Sequence, residues 1–348
     1  MKPFPLYILL THMLVSSSDG WHLAQLGLNE SYRVLHLSTH HLRVFLSITV
    51  RSKSFPTLIE SGWSQSPQRM PSSVYPLAAL HANGDHRDCT RLQQAHWTQV
   101  DSLSRLWVMD IGWYDDGGDV DSDHVCLPKL FVYDLSKNNA EVLRIDCSKH
   151  ISPGGANILA IKLGPPASPC SLEKYVYFVL ANTSYLVSYD ILEQKWHRLK
   201  LKSHKYHSVA EALPIRPLDL AFGRGQQLLI ADTEGVLYSS RNALLLNHTN
   251  VLDGAVSNLE LDFMGILLGP SKSMLVDNRK GSVFYAVAKF GAVVRVEPKA
   301  NLTTKDNLII YMTSENVQQI FFGVHGSIWL LTDSWISPQD YCFRTGNR

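Results

Sequence analysis

The apolar residues of this chain come in short runs, each closed by a polar or turn-forming residue. The clearest is SRLWVMDIGW at 104–113, where Leu106, Trp107, Val108 and Met109 lead into Asp110, Ile111 and Gly112. A run this short, carrying a bulky aromatic and stopped by Asp and Gly, predicts a strand in a sheet core, not a helix. The plan recurs as YVYFVLAN at 175–182, QLLIADTEG at 227–235, SVFYAVAKFG at 282–291 and SIWLLTDS at 327–334. Most of these runs are followed by a second: LFVYDL at 130–135, YLVSYD at 185–190, GVLYSS at 235–240 and GAVVRV at 291–296. Upstream, HLRVFLSITV at 41–50 alternates in strand fashion before Pro56 and Gly62 interrupt the pattern.

One strand centre per unit falls at Phe45, Trp107, Tyr177, Leu229, Phe284 and Trp329. Small antiparallel sheets repeated at such intervals bury their faces only by stacking on their neighbours around an axis. The expected fold is therefore all-β, a six-bladed β-propeller. A β-sandwich is the competing architecture, but one sandwich seldom uses so many strands, and no linker divides the chain into two. A single domain over residues 19–348 is expected.

Composition narrows the function. With 348 residues, 45% hydrophobic and 18% charged, the chain has ample material for a core, and its formal net charge of +1 provides no basic face for nucleic acid. Residues 1–18 read as a signal peptide: Lys2, an apolar stretch over 6–15, then Val15, Ser16 and Ser17 as a small-residue cleavage site. That stretch is shorter than the roughly 20 residues of a membrane span, so a secreted, extracellular protein without a membrane anchor is expected.

Secretion makes the cysteines disulfide candidates. Cys89, Cys126, Cys147 and Cys170 allow two bridges in three connectivities, and Cys342 is taken as the odd one. Sequons place acceptor asparagines at Asn29, Asn182, Asn247 and Asn301; Asn182, closing a core strand, is expected to point into the fold. The acidic stretch 115–123 alternates Asp119, Asp121 and Asp123 like a calcium loop, but His124 stands where the sharp turn needs Gly, and no metal is assigned. No nucleophile elbow, zinc-protease helix or phosphate loop occurs, and no cofactor is expected.

In a propeller, polar strand ends converge on a central channel that suits a small molecule. By position the candidates are Asp110, Asn182, Asp232, Asn278 and Asp333, with Trp113 and Phe322 as aromatic walls. An Asp after an apolar strand also serves the plainer purpose of accepting backbone N–H groups in the following turn.

Several segments resemble the insect yellow and major royal jelly protein family. Its Asp-Glu-Cys box leading into Arg-Leu-Trp-Val-Leu-Asp-x-Gly is matched by residues 101–112, with Ser102 and Leu103 replacing the Glu and Cys of the box. Its Cys-Pro-x-Leu-x-x-Phe/Tyr-Asp-Leu element is matched by residues 126–135, and Tyr189-Asp190, Trp196, 217–221 and 328–332 follow in collinear order. The resemblance implies that Leu103 leaves one family disulfide position unpaired. It also implies a non-catalytic protein of an extracellular matrix such as eggshell or cuticle, with matrix proteins as partners and a small aromatic amine or catechol as ligand. The other implication is an enzyme of melanin pigmentation that isomerises a dopachrome-like quinone.

Overall fold

The computed structural model describes residues 21–22, 32–50, 57–62, 75–76, 88–112, 125–166, 173–203, 214–240, 253–254, 256–323, 327–333 and 335–339. These are organised as β1 (Trp21–His22), β2 (Tyr32–His40), β3 (Arg43–Val50), β4 (Leu58–Gly62), β5 (Tyr75–Pro76), β6 (Ala95–Val100), β7 (Arg105–Asp110) and β8 (Lys129–Asp134). Next come β9 (Ala140–Asp146), β10 (Ile158–Leu163), β11 (Tyr175–Leu180), β12 (Tyr185–Asp190), β13 (Lys195–Ser203), β14 (Pro217–Phe222), β15 (Leu228–Asp232) and β16 (Val236–Ser240). The last are β17 (Val256–Ile266), β18 (Met274–Val276), β19 (Val283–Val287), β20 (Ala292–Val296), β21 (Leu308–Met312), β22 (Val317–Phe322), β23 (Ile328–Thr332) and β24 (Trp335–Gln339). No helix among the described residues is long and apolar enough to cross a membrane.

The strands form antiparallel meanders. Four sheets have four strands: β2-β3-β4-β5, β6-β7-β8-β9, β18-β19-β20-β21, and β22-β23-β24 completed by β1 from the other end of the chain. The fifth has eight strands, because the meanders β10–β13 and β14–β17 join along their last strands, which pair in parallel from Arg198↔Val256 to Ser203↔Leu261. First strands contact one another in a closed cycle, β2 to β6, β10, β14, β18, β22 and back to β2. The fold is all-β and propeller-like.

Burial on both faces explains the continuous apolar runs, since successive side chains of a strand point to opposite sides of its sheet. On β7, Trp107 and Met109 pack with Leu130, Val132, Phe178 and Trp196 toward the next meander. Leu106 and Val108, on the other face, pack with Phe45, Leu58, Phe131 and Tyr133 toward the preceding one. The same alternation sends Phe178 back toward β7 and Tyr177 and Val179 forward to Leu220, Leu228 and Ile230. Each six-residue strand thus cements two interfaces.

The motif at 101–107 is fixed by one carboxylate. Asp101 accepts hydrogen bonds from the backbone N–H groups of Leu103 (3.0 Å) and Arg105 (2.8 Å), from Arg105 Nε (2.6 Å) and from Trp107 Nε1 (2.8 Å). Arg105 then reaches Glu173 (3.8 Å), whose other oxygen accepts the Ser102 N–H at 2.8 Å. This anchors the β6–β7 turn to the segment leading into β11 of the third meander.

The cysteines correct the expectation of two bridges among four. Cys89 and Cys126 are joined, whereas Cys147 is free and fully buried, its thiol directed to the Ile145 carbonyl (3.7 Å) within the Trp107 cluster and its pKa pushed up by burial. Cys170, Cys342, the signal peptide over 1–18, Asn29, Asn247 and the acidic stretch 115–123 lie outside the described residues. Asn182 is also unlike expectation: it is exposed in the β11–β12 turn with a left-handed φ of 59°, which Asn tolerates better than most residues.

Candidate functional site

The six first strands carry polar residues within otherwise apolar patterns: His36 on β2, His96 on β6, Lys162 on β10, Asp219 on β14, Ser273 just before β18, and Gln319 on β22. Side chains bond most of these strands to their neighbours. Ser38 Oγ meets Thr98 Oγ1 at 2.9 Å between β2 and β6, and the Leu163 N–H donates to Gln99 Oε1 (3.2 Å) between β6 and β10. Ser271 Oγ donates to Asp219 (3.2 Å), and the Ile320 N–H to Ser273 Oγ (3.0 Å). Gln319 closes the ring: its amide donates to the Leu37 carbonyl and accepts the Leu37 N–H, both at 2.9 Å.

The ring encloses two cavities. One, of about 310 Å³, takes residues from the N-terminal halves of all six first strands or the segments leading into them, among them His36, His96, Lys162, Asp219, Lys272 and Gln319. The other, of about 330 Å³, takes residues from the C-terminal halves and beyond, including Asp101, Glu173, Phe222, Asn278 and Phe322. Lys162 lines both.

Burial favours the neutral forms of His36, His96, Asp219 and Lys272 in the first cavity. Burial pushes the Asp219 carboxyl up to about 6, against the pull of Lys162 and of hydrogen bonds from Leu220 N–H (2.8 Å), Ser271 and Met274 N–H. His36 is held well below the ordinary imidazole value by burial and by the charges of Lys162 and His96; its Nδ1 faces the Thr98 N–H at 3.4 Å, and its ring lies 5.9 Å from that of Trp97. Burial lowers His96 likewise. No group of three or more His, Cys, Asp or Glu among the described residues is placed to hold a metal ion.

The sequence candidates scatter. Asn278 and Phe322 line the second cavity. Asp333 is exposed and pairs with Arg33 (3.4 Å), itself a wall residue of the first cavity. Asp110 and Asp232 line neither; both cap turns. Asp110 accepts the N–H groups of Gln93, Gln94 and Gly112 at 3.0, 2.9 and 2.9 Å, and Asp232 those of Glu234 and Val236 at 2.9 and 2.8 Å. Asn182 lies in a turn away from both cavities, and Trp113 lies outside the described residues. The cavity-lining residues that sequence reasoning missed include polar positions of the weaker strand preceding each strong one, such as His36, His96, Lys162, Asp219 and Gln319.

Comparison with known proteins adds the lineage. The model of the family described as "Major royal jelly protein" matches residues 93–334. Among curated proteins, a dopaminechrome tautomerase of Drosophila melanogaster is 31% identical over 109 residues, 30% of this chain and 22% of that protein. Major royal jelly protein 7 of Apis mellifera is 23% identical over 175 residues, 45% of this chain and 36% of that one. A yellow-related salivary protein of Phlebotomus perniciosus is 26% identical over 155 residues, covering 42% and 36%. The matches therefore span well under half the length of these relatives. Among solved structures, a streptogramin B lyase superposes with a TM-score of 0.51 at 11% identity, over 92% of this chain and 95% of that one, a likeness of fold alone.

Proposed function

Because the chain belongs to the major royal jelly protein family, we propose that it is a secreted, non-catalytic protein of an extracellular matrix such as eggshell or cuticle. In this reading it is one six-bladed propeller over residues 19–348, and its channel takes up a small aromatic amine or catechol. The closed cycle of first strands supports the blade count, with the eight-stranded sheet read as two blades joined at their rims. The observation that carries the ligand reading is a cavity of about 310 Å³ to which every first strand or its lead-in contributes, lined by hydrogen-bonding side chains such as His36, His96 and Gln319. The Cys89–Cys126 bridge suits an oxidising compartment. Titrating purified protein with dopamine and dopachrome tests this: saturable binding without turnover is expected, and no binding of either removes the reading.

A second reading is favoured by one observation. His36, His96 and Asp219 face the same cavity, with neutral imidazoles and a carboxyl poised at about 6. A tautomerase moves a proton between two atoms of one molecule, which requires a base and an acid that exchange protons near neutral pH. Conversion of dopachrome that is lost in both His96→Gln and Asp219→Asn would establish this reading; an absence of turnover would exclude it.

A further inference from the structure

The channel's charges are unequally engaged. Among the described residues three carboxylates line it, and each is already matched from within the protein. Asp219 takes hydrogen bonds from Leu220 and Ser271. Asp101 takes four bonds from Leu103, Arg105 and Trp107. Glu173 holds the Ser102 N–H and faces Arg105. The cations differ. Lys162, which lines both cavities, makes no hydrogen bond or close ion pair among the described residues, although its charge is felt by Asp219. Lys272, at the rim, is held only by neutral amide oxygens, Gln318 Oε1 at 2.9 Å and Asn316 Oδ1 at 3.4 Å. Arg33 beside it is matched by Asp333.

From this asymmetry we infer that the ligand carries a carboxylate, which Lys162 and Lys272 receive, so that the channel selects acidic catechols over simple amines. Among the described residues, an ammonium entering here meets no carboxylate free of an internal partner and sits near a lysine whose ammonium has no hydrogen-bond partner. A carboxylate gives the Lys162 ammonium a direct hydrogen-bonding partner, which Asp219, felt only through its charge, does not supply. This inference rests on the channel being a ligand site, as proposed above, and adds the chemical class that it prefers.

Three probes sharing one ring test it on the full-length protein by calorimetric titration: dihydrocaffeate, which bears a carboxylate; ethylcatechol, which lacks one; and dopamine, which bears an ammonium. Dihydrocaffeate is expected to bind about tenfold or more tightly than the other two, as befits a hydrogen bond to a charged group. Added salt should erode that preference. Lys162→Met should abolish the preference for dihydrocaffeate over ethylcatechol, and Lys162→Arg should keep it. The exposed Lys272→Gln should weaken it in part and provides the comparison if Lys162→Met does not fold. Dopamine binding as tightly as dihydrocaffeate, or a preference that survives in folded Lys162→Met, overturns the inference and leaves the channel reading standing. Binding of none of the three overturns both.

Discussion

Gln319 is the single side chain whose loss should loosen the ring most. It joins the first strand of the first meander to that of the last through two bonds of 2.9 Å to the backbone of Leu37, a residue far away in sequence. Both partners are shielded, Leu37 being 1% and Gln319 8% exposed. Gln319→Met keeps the length of the side chain but leaves one buried N–H and one buried C=O unmatched. Each such group costs about 1–3 kcal/mol, so the expected loss is about 3 kcal/mol. The adjacent Gln318 supplies the control: its amide meets only Lys272 and Asp333 near the surface, and Gln318→Met should cost no more than about 0.5 kcal/mol. Urea unfolding followed by tryptophan fluorescence reads both variants. A loss below about 1 kcal/mol for Gln319→Met, or equal losses for the two, would refute the view that this amide clasps the ring.

Other outcomes follow from the same geometry. Asp101→Asn removes the charge facing Arg105 and cannot accept from all four donors, so it should destabilise by about 3–5 kcal/mol and shift Trp107 emission, both measurable in one unfolding series. Gly112→Ala should be severe, lowering the melting temperature by many degrees, because φ is 76° and the added Cβ would lie 1.9 Å from the Cys126 carbonyl oxygen. Asp219 has a folded-state pKa raised to about 6, so the native state binds a proton that the unfolded chain has released, and its contribution to stability falls as pH rises from about 4 to about 6. Melting curves across that window should therefore show the wild type losing ground relative to Asp219→Asn as pH rises; parallel curves would contradict the raised pKa.

Most of the framework was legible in the residue pattern because the second strand of every meander is buried on both faces. Phe45, Trp107, Tyr177, Leu229, Phe284 and Trp329, chosen as strand centres, fall on β3, β7, β11, β15, β19 and β23. First strands were hard to read for the opposite reason. Each packs beside two neighbours and also faces the axis, so β6 (AHWTQV) and β22 (VQQIFF) interleave polar and bulky residues with no clean period. The channel was consequently sought at the ends of strong strands, where Asp110 and Asp232 serve turns, although Asn278 and Phe322 do reach the second cavity. The useful signal in two of these strands was a lone polar residue before the strong run, Lys162 before YVYFVL and Asp219 before LLIAD. Pairing of Cys89 with Cys126 required coordinates, since spacing leaves the connectivities equal.

The parallel seam between β13 and β17 hides two rims that would otherwise invite a stranger's strand. It also ties 158–266 into one mechanical unit. Pulled from its ends in an optical trap, the chain should surrender that stretch in a single long step, while the remaining meanders peel away in shorter ones.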